Sequence, residues 1–220
     1  MKENNINAKN ILLHMELLSA KLLHDLAGPI GAVVNYIEFL SEGDSDKSKD
    51  FICLLMEASN EIMARFRLSR QSYSFSEDNK NFSSTKANVE EYLDTKKVKL
   101  SWNIAVQIYN VQLVEKINKL VSNIIILSTM IMIDGKEVEV LLQEDGDKVV
   151  LKITLKAQGI EICESIQDIF DEKTNYVLDA KNIQAWIISM LLMKYNVNLS
   201  YNLIQKGVLE FCIPFVNCIL

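Results

Sequence analysis

The sequence predicts an α+β protein: an N-terminal antiparallel helical hairpin that forms a dimeric four-helix bundle, joined to a C-terminal α/β sandwich. Three observations carry this. Residues 11–41 and 51–66 repeat apolar side chains every three or four positions, the helical period. Residues 87–220 instead mix runs of period two with apolar helical runs. The composition, 49% hydrophobic and 24% charged over 220 residues, is that of a globular chain with one or two domains.

The first helix is read over 11–41, where Leu22, Leu26, Ile30, Val33, Ile37 and Leu40 run close to a heptad seam. Residues 41–49 (SEGDSDKSK) form a polar turn, and Phe51, Leu55, Ala58, Ile62 and Phe66 mark a second helix. Two helices and a short loop make an antiparallel hairpin. One hairpin cannot bury two apolar stripes, whereas two hairpins packed together can. The expectation is a homodimer through residues 11–72. A polar stretch over 74–86 (SFSEDNKNFSSTK) reads as a linker. The domains are therefore expected at 1–75 and 87–220, with the linker at 76–86.

In the second domain, residues 89–95 predict a short helix, 98–104 a strand and 112–133 a long apolar helix. Strands at 137–143 and 148–155 flank Asp145-Gly146, a hairpin turn signal. Residues 161–170 and 182–195 read as helices. A closing hairpin over 198–204 and 208–215 turns at Gly207. The sum is a layer of helices on a mostly antiparallel sheet.

Much chemistry is excluded. With 7 glycines and 2 prolines there is no GxGxxG or GxxxxGK[ST] loop to cradle phosphate, and no HExxH. Cys53, Cys163, Cys212 and Cys218 show no CxxC or zinc spacing and are expected as buried, reduced thiols of a cytoplasmic protein. A net charge of −6 argues against nucleic acid. The polar N-terminus shows no signal peptide. The apolar run over 120–133 carries Ser122, Asn123, Ser128 and Thr129 and is shorter than the roughly 18 residues of a membrane span, so no membrane association is expected. No carboxylate cluster suggests a metal site.

His24 is the most informative residue. Leu22 and Leu26 face the seam, and two helical positions turn by about 200°, so His24 points to solvent. Its side of the helix carries Ala27, Gly28, Gly31, Ala32 and Asn35. Glycine inside a helix costs roughly 1 kcal/mol relative to alanine, and Pro29 adds to the burden. Something must offset that, and a bare shelf beside an exposed histidine lets another protein's backbone approach. A neutral imidazole can accept a phosphoryl group from an acyl phosphate and return it to another carboxylate, a reaction governed by positioning and charge. Asp25 either orients the ring nitrogen, acts as a weak base or merely solvates the helix. The hairpin register puts Arg65, Arg67 and Arg70 near the height of His24, where one could bind a phosphoryl oxygen or simply face solvent. His14 has no comparable shelf and reads as structural or surface.

The run Lys21-Leu22-Leu23-His24-Asp25-Leu26-Ala27-Gly28-Pro29-Ile30-Gly31-Ala32 resembles the H-box of histidine kinases. It resembles more closely the signature of the ChpT-type histidine phosphotransferases of alphaproteobacteria. Glu57-Ala58-Ser59 and Ala64-Arg65-Phe66-Arg67-Leu68 are similar to that family's second helix. The resemblance implies a dimeric, cytoplasmic phosphorelay enzyme. It implies that His24 is the phosphoacceptor, that the donor is the receiver domain of a hybrid histidine kinase, and that the acceptors are response regulators.

By the same resemblance the second domain is a degenerate kinase ATPase module. Asn123 is read as the remnant of the asparagine-bearing helix that a working ATP site needs. An Asp-x-Gly-x-Gly turn should fall at Ala157-Gln158-Gly159-Ile160-Glu161, where alanine replaces the aspartate and glutamate the second glycine. A glycine-rich loop should fall in 171–187, which has no glycine. The expectation is no ATP, no autokinase activity and no cofactor in this chain, with Mg²⁺ residing in the partner receiver. Two other functions remain open on the sequence: an ATP-dependent histidine kinase fragment, and a docking inhibitor that carries no phosphate.

Overall fold

The computed structural model describes residues 2–42, 48–173 and 176–216. Most of the expected polar turn over 41–49, and Cys218, lie outside the described residues. Two compact units divide the chain at Ser69/Arg70.

The first unit is a hairpin of α1 (Lys2–Ser41) and α2 (Ser48–Tyr73), the last turn of which belongs to the second unit. Helix α1 begins nine residues earlier than the apolar period suggests. It continues through Pro29 without a break in assignment. Phe39 and Phe51 stack at 5.3 Å near the hairpin's closed end. Among the described residues of this unit few side chains are buried: Lys21, Ala58, Ala64 and Leu68. Ile30 and Ile37 of the expected seam, and Phe66 opposite, stay about half exposed. The segment Ile11–Ser41 is also long and apolar enough, by length and composition, to cross a membrane.

The second unit holds α3 (Phe82–Asp94), β1 (Lys99–Ile104), α4 (Val111–Ile131), β2 (Met132–Asp145), β3 (Lys148–Ile160), α5 (Glu164–Phe170), α6 (Ile183–Tyr195), β4 (Ser200–Gln205) and β5 (Val208–Val216). The sheet order is β1-β2-β3-β5-β4, with β1 parallel to β2 and every other pair antiparallel. Val138, Val140 and Leu142 alternate into the core on β2, as do Leu209, Phe211, Ile213 and Phe215 on β5. The helices cover that face. The other carries ion pairs such as Lys156–Glu137 at 3.0 Å, so one sheet face is apolar and one wet.

Three expectations are corrected here. Residues 76–86 are no linker: they form a 3₁₀ helix at Glu77–Lys80 and the first turn of α3. The polar residues there are caps and bolts. The Ser76 hydroxyl caps the 3₁₀ helix and Asn81 caps α3 by accepting from the Ser84 N–H at 2.7 Å. Asn118 of α4 donates to the carbonyls of Asn79 and Asn81. Residues 157–161 are no turn: β3 runs to Ile160, with Gly159 opposite Ile133 on β2. Cys53 and Cys163 are exposed and Cys212 is half-buried, all three free, rather than buried.

Candidate functional site

His24 lies mid-way along α1, and its side chain is 90% exposed. Its Nδ1 stands 3.6 Å from Asp25 Oδ1, beyond hydrogen-bond reach but within electrostatic range. Asp25 Oδ2 accepts from Lys21 Nζ at 2.7 Å, one helical turn away, and Lys21 is almost fully buried. The carboxylate is therefore anchored on one oxygen and offers the other to the ring. Nε2 is the ring nitrogen remote from this carboxylate.

The neighbouring surface is bare. Ala27, Gly28 and Asn35 are exposed, and Gly31 and Ala32 half-buried. A Cβ built at Gly28 or Gly31 meets nothing within 4 Å. Among the described residues no packing requires those glycines, so the fold of those residues does not explain their helix cost.

The antiparallel register brings Arg65 to the height of His24, but the guanidinium turns inward. Nη1 donates to the Asp25 carbonyl at 2.9 Å, while Nε and Nη2 both donate to Glu61 Oε1, at 3.0 and 2.6 Å. Arg67 is half-buried. Arg70 pairs with Asp78 at 2.7 Å within the second unit. His14 is half-buried, and burial lowers its pKa below the usual histidine value. Sequence reasoning missed the Lys21–Asp25 and Glu61–Arg65 pairs, although both are spaced four apart and were readable on that ground.

In the second unit two of the positions singled out in the sequence, Asn123 and the 157–161 segment, are held by hydrogen bonds. Asn123 is fully buried. Its Nδ2 donates to the carbonyls of Lys119 (2.8 Å) and Ser72 (3.2 Å), and its Oδ1 accepts from Gln184 Nε2 at 2.9 Å. The Tyr73 hydroxyl donates to Gln184 Oε1. These bonds tie α4 to α6 through side chains. The Ala157–Glu161 segment is held by backbone bonds on both sides. Ala157 N–H donates to the Gly207 carbonyl at 2.9 Å and Glu161 N–H to that of Ile131 at 2.9 Å. Gly207 itself has φ +76°, and any Cβ there would come 2.3 Å from the Ala157 oxygen, so only glycine fits this close approach. A cleft of about 710 Å³ lies beside this segment, between Met130, Glu161, Gln167, Lys181 and Tyr201. Among the described residues no group of three or more His, Cys, Asp or Glu is placed to hold a metal ion.

The chain thus joins a helical hairpin bearing an outward histidine to a five-stranded α/β unit. The family model for the histidine phosphotransferase C-terminal domain matches residues 82–206, and the chain belongs to that family. It is similar to a bacterial phosphotransferase solved at 1.7 Å, with 20% identity, a TM-score of 0.77, and coverage of 92% of this chain and 96% of that one. Lower similarity extends to the histidine kinase AdeS of Acinetobacter baumannii, with 15% identity and a TM-score of 0.45 over 88% of this chain and 97% of that one. A blue-light-activated histidine kinase of Erythrobacter litoralis has 13% identity and a TM-score of 0.46 over 89% and 61%. No curated protein sequence matches the chain. The protein is thus a phosphotransferase of two-component signalling.

Proposed function

We propose that His24 carries the phosphoryl group, taking it from the aspartyl phosphate of a hybrid kinase's receiver domain and passing it to response regulators. The observation that carries this reading is the exposed imidazole on a helix face whose glycines meet nothing among the described residues. In the step, the Nε2 lone pair attacks phosphorus and the bond from phosphorus to the receiver's aspartyl oxygen breaks, releasing a carboxylate. Nδ1 keeps its proton and turns it toward Asp25 Oδ1, which offsets the positive charge on the ring. The reverse step hands the phosphoryl group to the next receiver. Ala27, Gly28, Gly31, Ala32 and Asn35 form the surface on which the receiver's backbone settles. Arg65 is committed inside the hairpin, and this reading leaves it out of the docking surface.

A second copy of the chain covers the half-exposed apolar side chains of α1 and α2, completing a four-helix bundle. Lys21, His24 and Asp25 within the apolar stretch of α1 favour that cover over a lipid one. The second unit uses no ATP: Asn123 is consumed by Gln184 and backbone carbonyls, and Glu161 would repel a triphosphate. Mg²⁺ belongs to the receiver's acidic pocket. Free thiols fit a reducing, cytoplasmic setting.

The test is transfer from a radiolabelled, phosphorylated receiver domain. Acid-labile label should appear on the wild-type chain and vanish in His24→Ala, with dimer mass and melting unchanged because the side chain is exposed. Label retained by His24→Ala would place the acceptor elsewhere. A receiver that binds without transferring label would make the protein a docking inhibitor.

A further inference from the structure

We propose that Arg65 is a positioning residue for His24, because it supplies the hydrogen bond that Pro29 removes from the acceptor helix. This rests on the reading of His24 as phosphoacceptor. In an α-helix each N–H bonds the carbonyl four residues earlier. Pro29 has no N–H, and its ring crowds the carbonyl of the residue four back, which is Asp25. The stranded carbonyl therefore sits one residue past His24. A buried carbonyl without a donor is costly, and a helix relieves it by bending or by accepting a donor from elsewhere.

Arg65 is that donor. Its Nη1 crosses the hairpin to the Asp25 carbonyl at 2.9 Å. The rest of the fork is fixed on Glu61, one turn earlier in α2, and the side chain is only 19% exposed. Water competes little there, and a charged donor makes the stronger kind of bond. Asp25 is thereby held twice: its backbone by Arg65 and its carboxylate by the buried Lys21. It is also the residue whose free carboxylate oxygen faces the imidazole. The bond links the register of α2 directly to the backbone that aims His24. It gives the proline a place in the mechanism: it leaves an acceptor that Arg65 of the facing helix satisfies.

The test is a double-mutant cycle of wild type, Arg65→Ala, Pro29→Ala and the double variant, in the full chain. Arg65→Ala should slow transfer from the phosphorylated receiver about tenfold or more, as small misplacements of a reacting group do, while receiver affinity holds. Phosphoramidate, a small donor that needs no docking geometry, should label Arg65→Ala with a smaller fractional loss than the receiver does. In the Pro29→Ala background an N–H again reaches the Asp25 carbonyl, so adding Arg65→Ala should change the rate less than about threefold. Equal fractional losses in both backgrounds would overturn the proposal, because a merely structural arginine is indifferent to Pro29. Arg65→Lys, which keeps the charge without the fork, should fall between the two and serves if Arg65→Ala folds poorly. If the wild type takes no label from any receiver, the functional reading fails, and thermal midpoints over the same cycle still judge the pairing: additive losses refute it and rescue by Pro29→Ala upholds it.

Discussion

Along the hairpin, Ile30, Val34, Ile37, Met56, Met63 and Phe66 stand at least two-fifths exposed. In the α/β unit, Leu127, Leu142, Ile153, Leu155 and Phe211 are sealed from water. Large apolar side chains are thus mostly left open in the hairpin and mostly closed in the α/β unit. On the proposed reading this open stripe is the face that a second copy covers. The polar residues divide the opposite way. The hairpin sets its histidine outside, whereas the α/β unit draws Asn118, Asn123 and Gln184 inside. The hairpin is, on the same proposed reading, a surface made for partners, while the α/β unit keeps Asn123 and Gln184 in its core.

The largest effect that would break this contrast comes from paired truncations. Phe211→Ala should cost the α/β unit about 3–5 kcal/mol in denaturant unfolding. Ile37→Ser should leave that unit's melting unchanged and instead move the light-scattering mass from about twice 25.1 kDa toward the single chain. A wild-type monomer at micromolar concentration would remove the interface argument.

A smaller effect sharpens the shelf. Gly31→Gln should stabilise α1 by about 0.5–1 kcal/mol, raising the melting midpoint by about 2–4 °C, because a side chain there meets nothing in the chain. The same change should weaken receiver binding in a calorimetric titration. Unchanged affinity would mean the face is not where the receiver docks.

The smallest effect belongs to the α/β unit. The hydrogen bond from Arg70 holds the Asp78 carboxyl below its ordinary value of 3.8. A depressed carboxyl contributes stability that is present above pH 3.8 and is lost as pH falls through the lower folded value. Asp78→Asn should therefore cost at most about 1 kcal/mol at neutral pH, since the pair is partly exposed. The difference from wild type should close in acid. A difference that persists below that window would assign the loss to packing.

How far the sequence carried depended on the kind of signal. Helical geometry alone turns His24 and Gly28 outward, and the antiparallel register puts Arg65, with Arg67 and Arg70, near the height of His24. Alternation in β2, β3 and β5 gave the sheet. The failures share a physical cause. Polarity over 74–86 predicts a linker, yet Ser76 and Asn81 cap helices and Asn79 is buried. Gly159 was read as a turn, yet glycine also sits in paired strand opposite a branched residue such as Ile133. Spacing showed neither that Arg65 would face inward nor that Lys21 would be buried, because both depend on which carbonyl and carboxylate lack partners. That follows from Pro29 and Asp25 only once the two helices are placed side by side.

The central claim is that the hairpin does the chemistry and the α/β unit does none. It is tested most directly by offering two labelled donors side by side, ATP with Mg²⁺ and a phosphorylated receiver domain, to the wild type and to His24→Ala. The account predicts acid-labile label from the receiver alone and none in the variant. Label from ATP on the purified wild type would contradict it, and would mean that the buried Asn123–Gln184 network opens to admit a nucleotide.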